Sequence, residues 1–116
     1  MQKGFKQTFV TASFAETEWL DSLNIPMEWR QIKISVGDTY FFVDAYDPAT
    51  NTVYEFHGDF WHGNPKIFHP YKINKVAKKT FGKLYSATLK KENILKSAGY
   101  NIISIWEDDW NRSKLK

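Results

Sequence analysis

The chain has 116 residues, 42% of them apolar and 17% aromatic, with no cysteine and a net charge of +3. That length suits one folded domain with a single core and is too short for two. The composition excludes a disulfide scaffold and a thiolate zinc site, and no apolar run approaches the roughly 20 residues that cross a bilayer as a helix.

Residues 1–12 carry little signal and are expected to form an irregular arm or a short edge segment. They lack the apolar core of a secretory signal, so the expected setting is cytoplasmic, with no membrane partner. Ser13 suits a helix N-cap, and Glu16 three positions later completes a capping box. Trp19, Leu20 and Leu23 follow at helical spacing, and the helix should stop before Asn24-Ile25-Pro26. Glu16 shares the inward face of that helix, while Glu18 points more to the side. Trp29–Val36 alternates after Arg30, with Ile32, Ile34 and Val36 on one side, which predicts a strand with one wet face. Gly37-Asp38 is a hairpin turn, and Thr39–Tyr46 is a second strand, unusual in holding Asp44. Asp47–Asn51 turns the chain again, and Thr52–Phe56 returns as a third strand of an antiparallel meander.

After Pro65, the stretch Lys66–Lys79 reads as part loop and part helix. Thr80–Ala98 is the longest helix, ended by Gly99. Lys91 interrupts its apolar face of Leu84, Ala87, Leu95 and Ala98, and either reaches toward a site or snorkels along the helix. Asn101–Trp106 is expected to be a last strand, buried on both sides. The order α-β-β-β-α-β predicts an α/β domain whose mixed central sheet is flanked by helices.

The residues suited to chemistry are concentrated. Within Thr52–Pro65 stand Glu55, His57, Asp59 and His62, with Phe60 and Trp61 between the last two. The turn at Pro48 brings Asp44 toward Glu55, and these two carboxylates either make an all-oxygen magnesium site with the Phe56 carbonyl or belong to a wet strand face. Either histidine suits a general acid or base near neutral pH. Asp59 either orients an imidazole, binds a second metal or simply holds the loop. Phe60 and Trp61 either fill the core or stack on bases. From Phe60 through Lys91 there are eight lysines and no acidic residue. Such a stretch is a solvated face or a seat for a phosphate backbone.

Asp44, Glu55 and His57 resemble the PD-(D/E)xK nuclease signature, with histidine in place of its lysine and Val43 where its proline stands. Phe56-His-Gly-Asp-Phe-Trp-His62 is similar to the Phe-Thr-His-Gly-Cys-Phe-Trp-His segment of the very-short-patch (Vsr) repair endonucleases. It also resembles the related phage and homing EDxHD enzymes. The likeness runs on to Gly99-Tyr100 and Ile105-Trp106-Glu107, so it covers about Ser13 to Glu107. It implies a restriction-endonuclease-like core and a magnesium-dependent DNA endonuclease, with manganese able to substitute. By the resemblance, Asp44 would be the metal-binding aspartate and the Phe56 carbonyl the second protein ligand. His57 would meet the scissile phosphate or the metal's water, and His62 would be the general base. A first-helix glutamate would order that water; family spacing favours Glu18 and the inward face favours Glu16. Phe60 and Trp61 fall on the aromatics that wedge into DNA, and Lys66, Lys78, Lys79 and Lys91 are expected to hold its backbone.

Two departures matter. Asp59 stands where the repair enzymes place a zinc cysteine, so structural zinc and mismatch specificity are not expected here. Glu55 replaces an apolar residue, which moves the site toward the wider superfamily. The expected partner is double-stranded DNA, with a homodimer or a separate specificity protein supplying recognition. The expected setting is a bacterial cell, on a phage or mobile element. The rival readings are a non-catalytic nucleic-acid-binding module on the same fold and a structure-specific RNA or junction nuclease.

Overall fold

A computed structural model describes residues 13–115, so the expectation for the N-terminal arm lies outside the described residues. Helix α1 (Phe14–Ser22) begins where the Ser13 hydroxyl accepts the Glu16 N–H at 3.0 Å, the cap expected from the sequence. A 3-10 turn (Met27–Trp29) leads into the antiparallel meander of β1 (Arg30–Val36), β2 (Thr39–Asp47) and β3 (Thr52–His57). A single helical turn, α2 (Asp59–His62), follows, and then a small two-stranded hairpin, β4 (Ile73–Asn74) with β5 (Lys79–Thr80). Helix α3 (Phe81–Ser97) is capped by the Thr80 hydroxyl, which accepts the Lys83 N–H at 3.2 Å. It stops before Gly99, whose φ of +102° is open to glycine and costly for other residues. The chain then returns as β6 (Asn101–Trp106), parallel to β3 from Thr52↔Asn101 to His57↔Trp106. Helix α4 (Glu107–Ser113) completes the described chain.

The main sheet therefore runs β1-β2-β3-β6, antiparallel except for its last pair, and the molecule is an α/β fold with a mixed central sheet and flanking helices. Two apolar clusters hold it together. Leu95 of α3, with no exposed surface, packs on Ile34, Val43 and Val53. Trp19, Leu20 and Ile25 pack on Ala45 and Phe56, with Trp110 of α4 alongside. Burial of side chains of this size stabilises by about 1.5–3 kcal/mol each before conformational entropy is subtracted. Among the described residues no helix is long and apolar enough to cross a membrane.

Two expectations are corrected. Lys66–Lys79 contains no α-helix; its second half is the β4–β5 hairpin. Asn74 causes this, because its side chain accepts the Val76 and Ala77 N–H groups at 3.0 Å and its carbonyl accepts Lys78 N–H at 2.7 Å. Local side-chain bonds of this kind compete with helix formation. Strand β6 is not buried on both sides, since it pairs only with β3 at the sheet edge and leaves Ile103 47% exposed. The acids after it open α4, where Glu107, Asp108 and Asp109 match the positive end of the helix dipole.

Candidate active site

The site forms where the meander comes apart. The β2–β3 ladder runs from Asp47↔Thr52 to Ala45↔Tyr54. One step further, side chains take over from the backbone. The Asp44 N–H donates to Glu55 Oε2 at 3.0 Å, and the Phe56 N–H donates to Asp44 Oδ2 at 2.6 Å. The alternation of β2 also slips here. Val43 and Tyr46, three residues apart, pack in the Leu95 cluster, while Ala45 packs in the Trp19 cluster. Across from the slip, Gln31 takes a left-handed φ of +55°, and its amide donates to Glu16 Oε2 at 2.8 Å. Asp44 thus stands between the α1 layer and the α3 layer.

Glu16 of α1 closes the cluster. A cleft of about 180 Å³ is lined by Ser13, Glu16, Asp44, Glu55, Phe56, Gly58, Trp61, His62 and Lys91. Glu16 is 5% exposed and Glu55 4%. Burial, then the Glu55 charge, pushes Glu16 up to about 7. Burial, then Glu55 and Glu16, raises Asp44 well above the usual carboxylate range. The cation within reach of Glu55 is Lys91, whose Nζ donates to Glu55 Oε1 and to the Phe42 carbonyl, both at 2.8 Å. Of the two readings of Lys91, the one that sends it to the site holds. One ammonium does not balance three carboxylates, so the cleft is short of positive charge. The inward-face reading also selects Glu16. Glu18 stands apart, paired with Lys114 at 2.9 Å, and that hydrogen bond holds its carboxyl below the ordinary range.

The two histidines differ in kind. His62 closes α2, and Gly63 turns the chain there at φ +67°; a side chain at Gly63 would run into the Phe81 carbonyl, so glycine alone fits. His62 Nδ1 lies 2.9 Å from Thr88 Oγ1, and the Thr88 hydroxyl proton is given to the Leu84 carbonyl at 3.0 Å. Thr88 can then only accept, which assigns the proton of a neutral His62 to Nδ1 and the lone pair to Nε2. Burial, then His57 and Lys91, lowers His62 to about 4, so it is neutral at pH 7. His57 is 3% exposed, with Nε2 2.7 Å from Glu92 Oε2. That hydrogen bond holds Glu92 below its ordinary range. His57 Nδ1 is buried without a hydrogen-bond partner among the described residues. His57 is therefore a buried brace whose ring centroid lies 5.0 Å from that of His62, rather than an open phosphate contact.

The other expected residues divide in the same way. Trp61 is 55% exposed and lines both the carboxylate cleft and a neighbouring pocket of about 250 Å³ beside His57 and His62. Phe60 turns inward, edge-on to Phe68 and Phe81, which is the core reading of its ring. Asp59 holds the loop: its N–H donates to Glu107 Oε1 at 3.0 Å and its carboxylate accepts from Asn64 at 2.8 Å. Lys66, Lys78 and Lys79 are exposed, whereas Lys91 is half-buried. Thr88, Glu92 and Gln31 take part without having been singled out. Thr88 and Glu92 had a signal, for they follow Leu84 at four-residue steps along a face otherwise apolar.

Among the described residues, no three acidic or imidazole side chains are gathered closely enough to hold an ion alone. A hard cation here would add backbone carbonyl and water to the carboxylates, which is the usual practice of magnesium. No protein-family model, curated protein or solved structure matches the chain.

Proposed function

We propose that the chain is a metal-dependent endonuclease that hydrolyses DNA phosphodiesters, on a core of the PD-(D/E)xK kind. The observation that carries this reading is one cleft holding three undercompensated carboxylates and a neutral histidine whose Nε2 has the lone pair. The likeness of Phe56–His62 to the Vsr and EDxHD segments supports it independently. Asp44, Glu55 and the Phe56 carbonyl would hold magnesium or manganese, with Glu16 ordering its water; no sulfur donor suits zinc. When bound, the ion supplies a Lewis acid for the phosphoryl oxygens and a lowered pKa for water.

The protein's own groups do the rest. His62 Nε2 takes the proton of the attacking water as general base, and Thr88 keeps that nitrogen unprotonated beforehand. Lys91 fixes Glu55, Glu55 fixes the Asp44 backbone, and Asp44 fixes Phe56, so the ligand set is rigid before substrate arrives. His57, through Glu92, ties β3 to α3 behind His62. Trp61 offers an exposed ring for a base to stack on.

Incubating the protein with duplex, branched and single-stranded DNA and with RNA, in magnesium or manganese, tests the reading. Metal-dependent cleavage of DNA is expected. Cleavage of RNA or junctions in preference to duplex would move the substrate, and tight binding without any cleavage would leave only a nucleic-acid-binding module.

A further inference from the structure

The segment between the two halves of the site has an unusual surface. Ile67, Tyr71, Ile73 and Val76 are 49%, 84%, 55% and 64% exposed within a few residues of one another. Interleaved with them are Lys66, Lys72, Lys75, Lys78 and Lys79, and no acid occurs in this stretch. Exposed apolar residues at this density mark a contact surface rather than chance.

The surface is also built, not loose. The β4–β5 pairing is lengthened by Phe81 N–H to the Lys72 carbonyl and Gly82 N–H to the Pro70 carbonyl, both 2.9 Å, so a ribbon runs from Pro70 to Gly82. Asn74, 1% exposed, closes its tip with three hydrogen bonds. The Asn74 side-chain amide also donates to the Phe60 carbonyl at 3.0 Å. That bond fastens the ribbon to α2, the turn that carries Trp61 and His62. Lys78 is held at φ +60°, a left-handed conformation that costs a non-glycine residue energy.

We infer that the ribbon Pro70–Gly82 is a second DNA-contacting element, with its lysines on phosphates and Ile73 and Val76 against base edges beside the cleavage site. The inference rests on the nuclease reading for its choice of duplex DNA as partner. Charge decides for a polyanion, and a two-stranded ribbon is of the width that the major groove admits. Apolar side chains between the lysines suit thymine methyl groups or a partly opened base step. Asn74 is the positioning residue that keeps the ribbon in register with Trp61 and His62.

The test is binding of a labelled duplex to the wild-type protein in EDTA, where metal-dependent cleavage is silent, as a function of salt. Two exposed-residue variants are compared with it, Ile73→Ser with Val76→Ser, and Lys78→Gly with Lys79→Gln. Glycine suits the φ of Lys78, so the second variant removes charge without disturbing the turn. The serine pair is expected to weaken binding about tenfold at an unchanged salt slope. The lysine pair is expected to lower that slope by about two. Both variants should melt with the wild type. Serine-pair affinity within about twofold of wild type would overturn the inference. So would binding to phosphatidylserine-containing vesicles that the serine pair abolishes while DNA binding persists, since the apolar residues would then serve a membrane surface. A protein that cleaves DNA but ignores both variants loses the ribbon and keeps the nuclease. One that binds through the ribbon and never cleaves does the reverse.

Discussion

The clearest consequence of three crowded carboxylates is a pH-dependent instability that one substitution should remove. Glu16 titrates at about 7 in the folded protein against an ordinary 4.5. A raised carboxyl pKa means that the folded state holds its proton more tightly than the unfolded chain does. The associated stability is complete below pH 4.5 and is lost as pH rises through 7. The span corresponds to about 3 kcal/mol. Glu16→Gln keeps an oxygen for the Gln31 amide and carries no charge at any pH, and it also relieves Asp44, whose proton affinity Glu16 raises. In EDTA the variant should match wild type near pH 4.5 and exceed it by up to about 3 kcal/mol at pH 8. For a domain of this size that is a rise in Tm on the order of 10 °C. Thermal melts across pH, followed by tryptophan fluorescence, measure it directly. Saturating magnesium should recover much of the wild-type loss at pH 8 and do less for the variant. A variant offset from wild type by the same amount at every pH would refute the reasoning, because Glu16 would then not be a charge held against its will.

Three further outcomes follow from the same geometry. Lys91→Met strips Glu55 of its cation while Glu55 stays buried, so stability in EDTA should fall by about 3 kcal/mol, read by urea denaturation; a loss under about 1 kcal/mol would place the pair outside the folded state's needs. Thr88→Val leaves His62 Nδ1 without its acceptor and should slow cleavage about tenfold and cost about 1–3 kcal/mol of stability, with Thr88→Ser restoring both. Equal rates for the threonine and valine proteins would remove Thr88 from the account. Trp61→Ala should weaken DNA binding about tenfold with little change in melting temperature; a lower Tm at constant affinity would return Trp61 to the core.

What the sequence disclosed was mostly local. The Ser13 cap, the meander with its two turns and the stop at Gly99 each follow from neighbouring residues, and each is observed. The meeting of Asp44 with Glu55 was legible because one turn joins their strands, while the first helix left Glu16 and Glu18 both open, the inward face favouring Glu16 and family spacing Glu18. The hidden parts depend on side chains distant in sequence. Nothing near His57 announces Glu92, 35 positions away, or that the imidazole is buried. Phe60 and Trp61 have the same local character, and only the packing of Phe68 and Phe81 turns one inward and leaves the other exposed. The ribbon escaped notice because Asn74, a turn-maker by its side-chain bonds, stands in a stretch with no period of two.

The central claim is that Asp44 anchors a centre that cuts DNA. The most direct measurement is the rate at which purified protein nicks supercoiled plasmid in magnesium, for wild type and for Asp44→Ala prepared alike. Metal-dependent nicking by the wild type, abolished by EDTA, is expected, with a rate at least about a thousandfold lower for Asp44→Ala at undiminished DNA affinity. Wild-type protein that binds the plasmid and leaves it intact, or Asp44→Ala protein that nicks as fast as wild type, would contradict it.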